Sequence, residues 1–170
     1  MVSVGRDLIE EIPPMARWRI AARAASLLPA LYARALRDER GTPEEREQMV
    51  WYALGQEVKA IAATFGFPTG TAEEVCEAFK AGTNMIFGPD FRISVLETSD
   101  ETATLIMKGC PHQGTLREAG ASGETGFSWC LPFALAAVEA LNPAYSLRFV
   151  RARCMGDSQC EMTVRREEEK

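Results

Sequence analysis

The sequence predicts an α+β fold in which N-terminal helices are followed by an antiparallel sheet with a helix packed across it. Three observations support this class: helical spacing of apolar residues in the first half, alternation of apolar and polar residues after residue 90, and a late apolar helical segment. The chain has 170 residues, 46% of them hydrophobic, which is enough for one core. We expect a single domain formed by a helical region (1–88) and an α+β region (89–166), with a charged tail (167–170).

Three helices are predicted in the first half. The first spans Met15 to Glu39. Thr42 with Glu45, and Thr71 with Glu74, are capping boxes that start helices over 43–65 and 72–86. Apolar residues at helical spacing in the first helix form a stripe that we expect to face the core: Trp18, Ala22, Ala25, Leu28, Tyr32 and Leu36.

The second half is predicted to contain four strands and two helices. In order these are strands over 91–97 and 102–108, a short helix over 114–119, a buried helix over 129–141, and strands over 146–154 and 159–166. A three-residue loop at 156–158 would place Cys154 and Cys160 directly opposite each other, with Cβ atoms about 4.5–5.5 Å apart. A two-residue loop would instead put them on opposite faces.

Composition and charge exclude several classes of partner. A net charge of −5 argues against binding nucleic acid through a basic surface. The sequence contains no run of about 20 apolar residues, so no membrane span is predicted. It also contains no apolar segment at the N-terminus, so secretion is not predicted. We expect a cytoplasmic protein with a small-molecule ligand, and the amphipathic first helix makes a homodimer plausible.

Four of the five cysteines lie in the last third of the chain: Cys110, Cys130, Cys154 and Cys160. In a reducing compartment such a cluster indicates a metal site or reactive thiols rather than disulfides. Thiolates bind zinc tetrahedrally, so the four residues are predicted metal ligands, with an iron–sulfur or redox centre as an alternative. Independent packing of each cysteine in the core is the other alternative.

Cys130 is also a candidate nucleophile. We expect it to open the helix at Trp129, where free backbone N–H groups would lower the pKa of its thiol. His112, the single histidine, and Asp157 are candidate proton-transfer partners.

Two arginines of the last strands, Arg151 and Arg153, are candidate substrate-binding residues. They are predicted to share one face of the sheet. A guanidinium group matches a carboxylate with two parallel hydrogen bonds, so either residue could hold an acidic substrate.

The C-terminal third resembles a known family. Cys130, the element Leu141-Asn142-Pro143 and the segment from Cys154 to Met162 are similar to the L-2-amino-thiazoline-4-carboxylate hydrolase-like family. This resemblance implies an enzyme that hydrolyses a C–N bond of a small cyclic acid.

The same cysteines resemble a second, related domain. Cys130, Cys154 and Cys160 fall where the vinyl-4-reductase domain has the three cysteines of its zinc site. That resemblance implies an alternative function, a non-catalytic ligand-binding or sensor domain with structural zinc.

Overall fold

A computed structural model describes residues 7–37 and 40–167 of the chain, and it confirms the α+β class. Four antiparallel strands form one sheet in the order β1-β2-β4-β3. The elements in chain order are α1 (Pro14–Arg37), α2 (Pro43–Phe65), α3 (Ala72–Phe87), β1 (Arg92–Ser99), β2 (Thr102–Gly109), α4 (Pro111–Glu118), α5 (Gly123–Leu141), β3 (Tyr145–Arg151), a 3₁₀ turn (Arg153–Met155) and β4 (Cys160–Arg166).

Both predicted capping boxes are formed. The Thr42 hydroxyl accepts the Glu45 N–H at 3.2 Å, and the Glu45 carboxylate accepts the Thr42 N–H at 2.7 Å. Thr71 and Glu74 repeat the exchange at 3.2 and 3.1 Å. Each box satisfies backbone donors that the helix start leaves without a partner, which explains why these two starts could be predicted.

The apolar face of the sheet lies against the helices. Along β2 and β4 alternate residues are buried, among them Leu105, Met107, Cys160 and Met162. Met107 pairs with Cys160 across the two central strands. The period of two therefore places Cys160 on the core side of the sheet, as the sequence predicted.

The predicted inward stripe of α1 is wrong at four of its six positions. Trp18, Ala22, Ala25 and Leu36 are exposed, Trp18 at 64% and Leu36 at 74%, whereas Ala24 and Leu31 are buried. The reason is that α1 packs on α2 and α3 through the face that carries Ala24 and Leu31. The predicted end of this helix at residue 39 lies outside the described residues, as do residues 168–170 of the predicted tail.

The helix predicted to begin at Trp129 instead begins at Gly123. Ser122 caps it by accepting the Thr125 N–H. Gly123 and Gly126, which lie in the segment between the two predicted helices, are both helical, and the turn at 153–155 packs directly on Gly123. A Cβ at Gly123 would lie only 1.9 Å from the Cys154 carbonyl oxygen. Gly123 reflects this close approach rather than a break in the helix.

The last hairpin also differs from the prediction. β3 ends at Arg151, which pairs with Glu161, and residues 152–159 form a longer connection that contains the 3₁₀ turn. Asp157 accepts the Ala152 N–H at 2.8 Å, and Gly156 has φ +108°. These two features turn the chain early, so Cys154 does not lie on a strand opposite Cys160, and Arg151 and Arg153 do not share a strand face.

Helices α2 and α5 approach at backbone distance. A Cβ placed on Gly55 would lie 2.3 Å from the Phe133 carbonyl oxygen and 3.0 Å from the Ala136 Cβ. Since neither atom belongs to a flexible side-chain end, any larger residue at position 55 must push the helices apart.

We therefore expect Gly55→Ala to destabilise the protein by roughly 2 kcal/mol, because overpacking outweighs the better helix propensity of alanine. Gly114→Ala is the matched control: it is also helical, and a Cβ there meets nothing within 4 Å. Thermal melting of both variants provides the test. A Gly55→Ala variant as stable as Gly114→Ala would contradict the assigned helix crossing.

Candidate functional site

A narrow apolar cavity lies between the helices and the sheet, with a volume of about 40 Å³. Non-aromatic apolar residues such as Met107, Leu116 and Met162 also line it. Its wall is dominated by eight aromatic side chains: Trp51, Phe79, Phe87, Phe91, Phe127, Trp129, Phe133 and Phe149. This volume holds little more than one or two waters, so a ligand enters only if some of these side chains move.

His112 lies inside the aromatic cluster. Its ring centroid is 4.8 Å from that of Phe87 and 5.2 Å from that of Phe91, with the rings edge to face. Burial lowers the pKa of His112 to about 4, because the charged imidazolium loses its water. At neutral pH the imidazole is therefore uncharged, as an apolar cavity wall requires.

The four late cysteines converge on this cavity. Cys110, Cys130, Cys154 and Cys160 all line it, and all are free thiols. The charge of each of the other three would raise the pKa of the Cys130 thiol, which places all four within electrostatic reach of one another. The fifth cysteine, Cys76, is fully buried on α3 and is absent from this lining.

The expectation of a lowered Cys130 pKa is wrong. Cys130 is in the third turn of α5 rather than at its start, so its own N–H is not one of the free donors of the helix end. Burial is the main cause that raises its pKa above the ordinary thiol value, and the neighbouring thiols add to it. Cys130 is therefore a neutral thiol in an apolar wall.

Backbone donors contact two of the other sulfurs. The Arg153 N–H points to the Cys160 Sγ at 3.3 Å, and the N–H groups of Cys154 and Met155 lower the pKa of the Cys154 thiol. Burial still raises the pKa of both thiols overall. The 3₁₀ turn, held against α5 at Gly123, thus positions both sulfurs and partly favours their thiolates.

Among the described residues, no group of three or more His, Cys, Asp or Glu side chains is arranged so that it could hold a metal ion. Backbone N–H groups contact the sulfurs of Cys154 and Cys160, and aromatic rings surround the imidazole of His112. The predicted zinc or iron–sulfur ligation by these cysteines stays a prediction without geometric support.

The remaining predicted site residues divide into two groups. Arg153 lines the cavity, and one guanidinium nitrogen donates to the Lys108 carbonyl. Arg151 is exposed, lies 3.7 Å from the Glu161 carboxylate and is absent from the lining. Asp157 is exposed and holds the turn through the Ala152 N–H. The fold thus brings Arg153 and His112 to the four thiols and leaves Arg151 and Asp157 outside.

Sequence reasoning missed the aromatic wall and its polar atoms. Phe79, Thr83 and Phe87 repeat at a spacing of four on α3 and all line the cavity. That spacing was available as a signal, but it is also the ordinary pattern of a core-facing helix.

A family model described as L-2-amino-thiazoline-4-carboxylic acid hydrolase matches residues 18–164, which is most of the chain. The chain belongs to this family. The predicted resemblance is thereby confirmed for the hydrolase family, whereas the relation to the vinyl-4-reductase domain stays a prediction.

Among solved structures, this hydrolase-family chain resembles a trafficking protein particle complex subunit 3 from Naegleria fowleri, described as covalently bound to palmitic acid. The TM-score is 0.51 at 14% identity, over 92% of this chain and 98% of that one. At that identity the likeness shows the fold alone. No curated protein matches the sequence, and no helix in the described ranges is long and apolar enough to cross a membrane.

The lowered pKa of His112 predicts a pH-dependent stability. Between about pH 6.5 and pH 4 the unfolded chain binds a proton at this residue that the folded chain does not, so stability falls as the pH is lowered through this range. The loss approaches roughly 3 kcal/mol. When the pH is lowered from 7 to 4.5, the melting temperature of the His112→Phe variant should therefore fall by less than that of the wild type. An equal loss in both proteins would show that the imidazole is solvated.

The thiols should differ in reactivity. Iodoacetamide reacts with thiolates, so we expect Cys154, with its two backbone N–H contacts, to be labelled before Cys130, and Cys76 to be labelled last. Timed alkylation followed by peptide mass spectrometry measures the order, and the protein unfolded in guanidinium is the control for intrinsic rates. Labelling of Cys130 first would restore its candidacy as an activated nucleophile.

Proposed function

We propose that the protein binds a small, mostly apolar organic anion in the thiol-lined cavity. The aromatic wall contacts the body of the ligand, and Arg153 binds its anionic group. The observation that carries this proposal is the composition of the wall. Arg153 is the only charged side chain among the described lining residues, which are otherwise mostly apolar, aromatic or thiol-bearing and include the uncharged polar residues Thr83, His112 and Gln113.

The aromatic wall favours a flat or slender apolar body. Trp51 and Trp129 stack with ring centroids 5.0 Å apart, and Phe133 meets Phe87 edge to face at 5.0 Å. Such a wall gains free energy by removing apolar surface from water, and it contains few groups that a strongly polar ligand could bind. Because the cavity is narrow, we expect binding to shift aromatic rotamers and to be of modest affinity.

Arg153 supplies the selectivity for an anion. Its guanidinium carries five N–H donors. One of its nitrogens donates a hydrogen bond to the Lys108 carbonyl, and the donors on its other nitrogens can bind a ligand. Its charge also lowers the pKa of the Cys160 thiol, so the guanidinium lies within electrostatic reach of that sulfur in the cavity wall. A carboxylate at this position would accept two charge-assisted hydrogen bonds from the guanidinium.

The comparisons support an acidic ligand. The family is named for the hydrolysis of a carboxylic acid, which supports an anionic group on the ligand. The structural neighbour is described as covalently bound to palmitic acid, which supports an apolar body within a cavity of this fold.

Hydrolysis of a C–N bond in such an acid is a second candidate function, favoured by the family match. Cys130 as nucleophile with His112 as base would carry it. The raised pKa of the Cys130 thiol and the lowered pKa of His112 make both groups neutral in the free protein. Catalysis would therefore depend on the substrate bringing them into proton-transfer contact. Loss of turnover in a folded Cys130→Ser variant would support it.

Calorimetric titration with 4-ethylbenzoate and its neutral analogue 4-ethylbenzamide tests the binding proposal. We expect the wild type to prefer the benzoate by about tenfold, and Arg153→Gln to abolish the preference, because the charge-assisted hydrogen bonds are lost. Arg151→Gln is the matched control and should keep the preference, since Arg151 is exposed outside the cavity. Equal affinities for both compounds in the wild type would refute the role of Arg153.

A further inference from the structure

We infer that the ligand of this cavity carries a neutral hydrogen-bond acceptor of the carbonyl class on its buried part, where the Trp129 indole N–H and the Thr83 hydroxyl bind it. This inference rests on the proposed function, because it describes the ligand of the same cavity. Several buried side-chain polar atoms have no hydrogen-bond partner within the described residues, and these two belong to residues that line the cavity.

The Thr83 hydroxyl is an unusual group in this environment. Thr83 is 2% exposed and lies on α3 between Phe79 and Phe87, both of which line the cavity. A helical threonine ordinarily returns its hydroxyl to the carbonyl four residues earlier, as Thr64 does to Ala60 at 2.7 Å. Thr83 makes no such bond. A buried hydroxyl without a partner destabilises the folded state, so a ligand group that bonds to the Thr83 hydroxyl would gain binding free energy.

Trp129 also has an unmatched polar atom, whereas its stacking partner Trp51 does not. The two indoles are nearly parallel, at 16°, but the Trp51 N–H donates to the Tyr32 hydroxyl at 3.1 Å. The Trp129 N–H is buried and has no acceptor in the described part of the chain. Buried indole N–H groups usually find a partner, so the unmatched donor marks a position where the cavity can receive an acceptor.

The chemistry of the two groups identifies the ligand atom. An indole N–H can only donate, whereas a hydroxyl can donate or accept. A carbonyl oxygen has two lone pairs and can accept from both groups. A neutral carbonyl also costs far less to bury among aromatic rings than a second charge. The ligand class is therefore an apolar acid that carries a ketone, amide or similar carbonyl in addition to the anionic group at Arg153.

The test compares 4-acetylbenzoate with 4-ethylbenzoate, and the two 3-isomers with each other, so that the position of the carbonyl is not assumed. Each pair shares the carboxylate and differs in one carbonyl oxygen. We expect the wild type to bind an acetyl compound about tenfold more tightly than its ethyl partner, measured by calorimetry. Trp129→Phe and Thr83→Val should each reduce this ratio, and the double variant should bring it to about one.

Trp18→Phe and Thr64→Val are the matched controls, and both should keep the wild-type ratio because they lie outside this cavity. Without ligand, Thr83→Val should melt no lower than the wild type, since it removes an unmatched hydroxyl. Equal affinities within each pair, a ratio that survives in the double variant, or a lower melting temperature of Thr83→Val would overturn the inference and leave the proposed function intact. Failure of every benzoate to bind would overturn both.

Discussion

The backbone contact between α2 and α5 at Gly55 is the constraint on which the candidate site depends. Only a hydrogen atom fits between Gly55 and the Phe133 carbonyl. One turn before these residues on their helices, Trp51 and Trp129 are thereby brought into a stack. This part of the aromatic wall follows from the close approach of α2 and α5, because the helices carry their side chains with them as rigid units. Phe87 of α3 then contacts Phe133 edge to face.

A second close contact completes the site. Gly123 at the start of α5 receives the backbone of the turn that contains Cys154, while Cys160 begins β4 on the core face of the sheet. The contact at Gly123 thus brings the Cys154 sulfur to the helix that carries Cys130, and the sheet places Cys160 at the same cavity. The low polarity of that cavity then determines their protonation, which explains why Cys130 and His112 are both neutral although the sequence predicted an activated pair.

Much of the fold could be predicted because its signals are local. The capping boxes at Thr42 and Thr71 identify helix starts through bonds that span three residues, and the alternation along β2 and β4 identifies the buried face. The site was less accessible to prediction. Convergence of the four thiols was expected, but their arrangement was expected from a short hairpin that Asp157 and Gly156 replace with a longer turn. Thr83 and the Trp129 N–H were missed, since an unmatched buried atom is defined only by its neighbours.

The sequence by itself determined the α+β class, the starts of α2 and α3, the buried faces of β2 and β4, the hydrolase family and the clustering of four cysteines late in the chain. These features depend on periodicity and on bonds between residues close in the chain. Only the tertiary structure decided that α5 begins at Gly123, that Trp18 of α1 faces outward, and that Arg153 reaches the cavity while Arg151 does not. The physical reason is that each depends on a contact between distant segments, and glycine, arginine and tryptophan are compatible with either outcome until that contact forms.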